Sequence, residues 1–426
     1  RQEQFSAYLI RYRLDLWSTF TSYLKDPVYG DQMLQHDDRV VYGAKLSKTW
    51  FGNLGGAPLS NLLGAQLRVD ELRDDGIFPT YRRRILGTTQ DAAVTESSAA
   101  LYFENTIEWR PWLRSSVGLR GDGFGFQVRD KMVNADGSCD LRSDPLGCDS
   151  GQRRAAILSP KAGLVAGPWA RTSYFINVGD GYHSNDARGI TRSGTNPEAL
   201  PVTPLTRAVS AELGVRSRIV PAWESSLDVF RLRLRSELTF SGDAGSTAPS
   251  AASTRTGVEW GNRAQFASWL SGELNAAFTR ARFDHDPPPD DLGCAEAAAT
   301  HPCEEPASIV GRYIPNSPTS VVEAALNAQG LHWFASLRAR HFGAAPLVED
   351  DSARSPAYTT IDARLGLQSG QHWLAALEVF NLGDAKWNDI EYYYVTRLQN
   401  QAAPAAGYVV HPGVPRTIRA RLQYQF

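Results

Sequence analysis

The sequence predicts an all-β transmembrane protein, an antiparallel up-and-down β-barrel with about 16–18 strands. Three observations predict it: long runs of alternating apolar and polar residues, short turns that alternate with long polar connections, and tryptophans crowded beside the short turns.

The first run shows the pattern. Tyr8, Ile10, Tyr12, Leu14, Leu16 and Phe20 hold the even positions, and Leu9, Arg11, Arg13, Asp15, Trp17 and Thr19 hold the odd ones. Successive side chains of a strand point to opposite faces, so one face is greasy and the other charged. The same alternation follows at Val40, Tyr42, Ala44 and Leu46, at Leu63, Ala65, Leu67 and Val69, and at Ala99, Leu101 and Phe103. It returns at Val209, Ala211, Leu213 and Val215. Many runs exceed the usual strand length of soluble sheets and suit strands that tilt across a bilayer.

The connections come in two lengths. Short turns are expected at 52–57, Arg110-Pro111, Gly167-Pro168, Pro221-Ala222, Gly261-Asn262, Gln329-Gly330 and Ser369-Gly370. Long loops are expected near 130–152, 184–205, 241–253, 284–306, 344–356 and 400–412. Unequal ends of this kind belong to outer-membrane barrels rather than to Greek-key sandwiches. Trp50, Trp109, Trp112, Trp169, Trp223, Trp260, Trp333 and Trp373 sit beside those turns, as indoles do at the headgroup level.

Composition narrows the function. A formal net charge of −2 gives no reason to expect nucleic acid. No apolar run is long enough for a membrane-spanning helix, which leaves a barrel open. No nucleophile elbow, zinc-helix or phosphate-loop motif occurs, so neither an enzyme nor a cofactor is expected. Gly121, Gly123 and Gly125 read as mid-strand room for a packing neighbour or plug.

The last run, 413–426, places Ile418, Ala420, Leu422, Tyr424 and Phe426 on one apolar face that ends on an aromatic residue. With Ser159-Pro160-Lys161-Ala162-Gly163-Leu164, Asn177 to Asp186, Asp228 to Phe240, and Glu378-Val379-Phe380-Asn381-Leu382-Gly383-Asp384, in that order, the chain resembles the C-terminal barrel region of a TonB-dependent receptor. The resemblance implies an outer-membrane location and uptake of a scarce ligand such as an iron–siderophore or similar chelate. It also implies contact with lipid and lipopolysaccharide, and a terminal strand whose Ile418, Leu422, Tyr424 and Phe426 serve barrel insertion. Such receptors are expected to carry an N-terminal plug that reaches TonB and a barrel of about 22 strands. Here alternation begins within the first ten residues and no signal-peptide pattern follows Arg1. The expectation is a single partial barrel domain over 1–426, with the plug and first strands outside it. A passive porin-like channel and a soluble carbohydrate-binding sandwich are the alternatives.

Candidate site residues follow from chemistry. Arg11, Arg13, Arg68, Arg120 and Arg216 are expected to face the lumen and attract an anionic ligand, or else to pair with Asp15, Asp70, Asp122 and Glu212. Asp284, His285 and Asp286 form a candidate cation site in a loop, and solvated loop charge is the alternative. Cys139 with Cys148 and Cys294 with Cys303 share one spacing in Gly- and Pro-containing loops, which predicts two loop disulfides.

Overall fold

Alternation turns into register when each run meets its neighbour. In the computed structural model, sixteen long strands form one antiparallel sheet, each paired with the strands before and after it in sequence. They are β1 (Gln2–Ser18), β2 (Met33–Leu54), β3 (Ala57–Tyr81), β4 (Gln90–Arg110), β5 (Leu113–Asp130) and β6 (Gly151–Trp169). Next come β7 (Thr172–Ser184), β8 (Leu205–Ser217), β9 (Trp223–Leu234), β10 (Ser253–Ala267) and β11 (Leu270–Phe283). The wall ends with β12 (Ser320–Gln329), β13 (Trp333–Phe342), β14 (Tyr358–Ser369), β15 (Trp373–Phe380) and β16 (Thr417–Tyr424). A two-residue strand, Arg84–Ile85, folds back on β3 and brings the sheet to 17. The structure describes residues 1–132, 150–191, 202–236, 238–241, 246–249, 251–284, 311–370 and 372–425.

One sheet with an apolar outside excludes the two-sheet sandwich. Leu101, Leu213, Leu377 and Leu422 are all exposed on the outer face. Their neighbours in sequence, Tyr102, Glu212, Glu378 and Arg421, alternate onto the inner one. Strands β2 and β3 run for 22 and 25 residues. At ~3.3 Å per residue and a tilt of about 45°, that is roughly 50 Å of height against a hydrocarbon core of about 30 Å. Their far ends therefore stand clear of the bilayer.

Several turns sit where the sequence expects them, with two corrections. Gly261 and Asn262 lie inside β10, and the chain turns seven residues later at Ser268 and Trp269. Gly261 does not take the positive φ that would let it carry a tight turn. Likewise β6 runs past Gly167-Pro168 to Trp169, and Ala170 and Arg171, both at positive φ, make the turn. The aromatic end survives both shifts: Trp112 lies 5.6 Å from Trp169, and Trp269 lies 6.4 Å from Trp333.

The last long connection is also more ordered than expected. Residues 400–412 are not a loop throughout, because Ala405–Pro412 pairs with Asn388–Thr396 in a hairpin outside the wall. Asn381, buried and at φ 50°, organises its base. Its side-chain nitrogen donates to the carbonyls of Ala385 at 3.0 Å and Val414 at 3.2 Å, and its oxygen accepts from Ala385 N–H at 2.9 Å. The hairpin's far end reaches the loop after β1: the Tyr394 hydroxyl donates to the Phe20 carbonyl at 2.9 Å, and Tyr23 N–H donates to the Arg397 carbonyl at 2.8 Å. Below that link, no described residues pair β1 with β16, so the wall has two open edges.

Candidate functional site

The inner face of the wall near the long-loop end carries the densest polar chemistry. Register decides its membership. Arg68 stands opposite Gly43 on β2 and Ser98 on β4, Tyr102 stands opposite Gly64 on β3 and Arg120 on β5, and all of these face inward. Arg68 donates twice to the Asp70 carboxylate, at 2.7 and 2.8 Å. Arg120 clasps Asp122 in the same way, at 2.7–3.0 Å, and the Asp122 side chain is almost fully buried. Arg39 donates to Asp37 at 2.8 Å. These are bidentate forks, in which planar guanidinium meets planar carboxylate.

Aromatic rings lie among the cations. Arg39 stands over Tyr12 at 5.8 Å, and Lys45 and Arg120 flank the Tyr102 ring at 5.8 and 5.6 Å. Such contacts favour a cation over a ring's negative face. Lys45 and Arg216 have no carboxylate within salt-bridge distance among the described residues, although Arg216 is in electrostatic reach of Asp228.

A short inward fold narrows this end. After β7 the chain forms α1 (Ala187–Thr191), whose Ile190 packs into a cluster with Ala92, Val94, Phe126 and Val128 from β4 and β5. Arg188 secures it, donating to Asp186 at 2.6 and 3.0 Å and to Gln90 at 3.0 Å, with Asp75 at 3.3 Å. Asp75 lies on the part of β3 above the bilayer, and burial pushes its carboxyl above the usual range despite Arg188. None of these residues was a candidate from the sequence. A five-residue helix leaves no periodic signal, and the apolar Val94, Phe126 and Val128 on an inward face read as ordinary strand residues.

The opposite side of the lumen is polar in another way. Across β12 to β16 the inward side chains form a ladder of opposite charges: Arg338 meets Glu323 at 3.4 Å, Arg340 meets Asp362 at 2.6 Å, and Glu378 takes Arg364 at 3.1 Å and Arg419 at 3.9 Å. Four arginines share three carboxylates there, with Glu378 taking two of them, so this wall keeps a small positive excess.

The predicted arginines divide. Arg68, Arg120 and Arg216 face inward, and the first two take the paired arrangement with Asp70 and Asp122. Arg11 and Arg13 do not face the lumen. Tyr8, Ile10 and Tyr12 stand opposite Gly43, Val41 and Arg39, which puts the even face of β1 inside and both arginines outside. The Tyr8 hydroxyl comes 2.6 Å from where a Cβ of Gly43 would stand, so the glycine makes room for the ring. Arg13 lies 3.4 Å from Asp15 and Arg11 lies 3.7 Å from Asp38. Gly121, Gly123 and Gly125 also face outward, opposite Leu101, Ala99 and Ser97, so they leave no room for a plug.

Asp284 is already engaged, accepting from Arg233 at 2.9 Å and Thr254 at 2.6 Å. His285 and Asp286 lie outside the described residues, as do Cys139, Cys148, Cys294, Cys303 and Phe426. No group of three metal-ligating side chains occurs among the described residues. At the chain's end Ile418 and Leu422 face outward, and Tyr424 packs against Trp373 at 4.7 Å.

A one-sheet wall, apolar outside and polar inside, with an aromatic short-turn end, defines an outer-membrane β-barrel. The sequence matches the family described as TonB dependent receptor-like, beta-barrel over residues 3–382, and the chain belongs to that family. No curated protein matches the sequence. Among solved structures the wall is similar to the ferric citrate transporter FecA in its unliganded form (12% identity, TM-score 0.70, 99% of this chain and 58% of that one). It is also similar to the ferric yersiniabactin uptake receptor FyuA from Yersinia pestis (16%, TM-score 0.67, 100% and 59%). The siderophore receptor PiuA from Acinetobacter baumannii is a third (12%, TM-score 0.69, 99% and 62%). The chain thus spans about six tenths of the length of these receptors. It is an outer-membrane protein of a family of transporters rather than enzymes.

Proposed function

We propose that this chain is most of the barrel wall of a receptor that imports a scarce metal chelate, such as an iron–siderophore complex, with energy delivered through TonB. The family match over residues 3–382 carries the reading. Structural neighbours that import ferric citrate and ferric yersiniabactin support the ligand class. Two open edges at β1 and β16 support a longer chain, since unpaired backbone in lipid costs several kcal/mol per group. Further strands pair with those edges, and a plug that reaches TonB fills the lumen. The long loops capture the chelate and pass it to the inner wall. There Lys45 and Arg216, with no salt-bridge partner among the described residues, offer charge to the ligand's acidic groups, while Arg68 and Arg120 stay paired with Asp70 and Asp122.

The test is uptake of radiolabelled ferric chelates by cells that carry the full receptor as their sole such importer. Uptake that ends when TonB is deleted supports the reading, and a K45Q/R216Q variant is expected to lower apparent affinity about tenfold, or ~1.4 kcal/mol. Passage of small solutes at the same rate without TonB would instead mark a passive channel.

A further inference from the structure

At the upper end of β7, strand parity and the observed contacts disagree. Tyr174, Ile176 and Val178 are exposed on the outer face, so Asp180, Tyr182 and Ser184 should follow them outward. Instead the Tyr182 ring meets Phe124 edge-on at 5.8 Å and its hydroxyl donates to Asp122. The Ser184 hydroxyl bonds the Glu96 carboxylate. These partners stand on the inner faces of β4 and β5, beyond β6. Upper β7 has slipped inside its neighbour and lies as a second layer on the lumen wall. Ile190 and Arg188 of α1 hold it there.

The slip leaves two strand edges without a partner strand. β6 pairs with β5 from Gly151 to Ala166, but with β7 only from Lys161 onward. Pairing stops at Pro160, which has no N–H to give. Because the β5 ladder runs unbroken past Pro160, the missing donor is the one that would face β7. The same parity turns the backbone groups of Arg154, Ala156 and Leu158 toward the cleft, and all three residues are exposed. The existing register, with Lys161 opposite Gly179, extends without a shift to Leu158 opposite Tyr182 and Ala156 opposite Ser184. Gly181 lies between, with nothing within 4 Å of where its Cβ would stand, which suits a hinge. Pro160 is nine residues above Trp169, or ~21 Å of rise, near the top of the hydrocarbon band.

We propose that the upper end of β7 is a switch in the wall with two positions. In one it lies inside β6, as observed, and covers Asp122 and Phe124. In the other it swings outward, zips onto the free edge of β6 and uncovers that wall, which widens the lumen. Each position satisfies what the other leaves open: side-chain contacts and α1 packing in the first, ladder hydrogen bonds in the second. Alternative packings of this kind are bistable rather than continuously deformable. The switch belongs to the wall, whatever solute passes.

The test uses the full receptor with Cys139, Cys148, Cys294 and Cys303 replaced by serine and carrying A156C/S184C. Glu96, which holds Ser184, lies two strands from Ala156 and on the other face, so no disulfide can form in the inner position. In the zipped position the two residues are register partners, about 5 Å apart. Oxidation in lipid vesicles is expected to cross-link the pair slowly. I190N, which unseats α1, and P160V, which restores the missing donor, are each expected to speed cross-linking about tenfold. Heat-shifted gel mobility shows which variants are folded, and P160V, remote from the Ile190 cluster, carries the test should I190N misfold. The absence of a cross-link in every folded variant overturns the proposal. Fast cross-linking that neither variant changes overturns it in favour of a permanently paired ladder.

Discussion

Arg120 and Asp122 illustrate how a lumen residue is stabilised. They are two apart on one strand, so both face inward, and their bidentate contact removes nearly all water from the carboxylate. Removing only the cation leaves that carboxylate buried and uncompensated, which costs more than the pair is worth. R120M is therefore expected to destabilise the folded barrel by about 2–3 kcal/mol, the lower range because Arg120 itself is a third exposed. An R120M/D122L double variant is expected to recover most of the loss. Urea unfolding of the receptor in lipid vesicles measures both. A double variant no more stable than R120M would remove the pair from the account. Alternation alone marks Arg68 and Arg120 as inward, but not that each already holds a carboxylate.

At the scale of the element, the hairpin Asn388–Thr396 with Ala405–Pro412 shows what long loops conceal. Its strands, rich in tyrosine and valine, favour β structure without the alternation of a wall strand, and they pair with each other rather than with the main sheet. Asp389 and His411 close one end, 2.6 Å apart. The His411 hydrogen bond holds the Asp389 carboxyl below the usual range. A depressed carboxylate stabilises the fold fully above its unfolded value, about 3.8, and the contribution is lost as pH falls through the lower folded value. Amide exchange in Glu391–Val395, corrected for intrinsic rates, is thus expected to quicken below about pH 4 in the wild type. D389N should show faster exchange already at pH 5 and no further step on acidification. A step that persists in D389N would assign it to another group.

For the whole molecule, the decisive asymmetry is between the faces. Leu101 is two-thirds exposed on the outside, beside Tyr102 on the inside. In water such exposure along every strand would drive aggregation, whereas in a bilayer it is the solvated face. V117R, on the outer face five residues (~12 Å of rise) from Trp112, is expected to cost ~2–4 kcal/mol of stability in vesicles, the penalty for arginine near the midplane, while L86R on an exposed residue of the long-loop end should cost little. Folding titrations in vesicles decide this, and equal costs would place Val117 outside the hydrocarbon. The open edges at β1 and β16 belong to this scale too. Among the described residues, every interior strand of the wall pairs with two neighbours, whereas β1 and β16 each have one.

By itself the sequence determined the all-β class, most strand positions, the long-loop end and the aromatic short-turn end. Each of these rests on local chemistry: side-chain alternation, turn residues and the preference of indole for an interface. The tertiary structure alone decided which face of β1 is inside. Alternation separates two faces without orienting them, and the more apolar face of that strand, with Tyr8 and Ile10, turned inward because its partner offers Gly43 there. It also decided where the turn after β10 falls and that Arg188 anchors an inward fold. Those outcomes depend on pairing between residues far apart in the chain, and pairing across a sheet is set by the register of both strands, which neither strand carries alone.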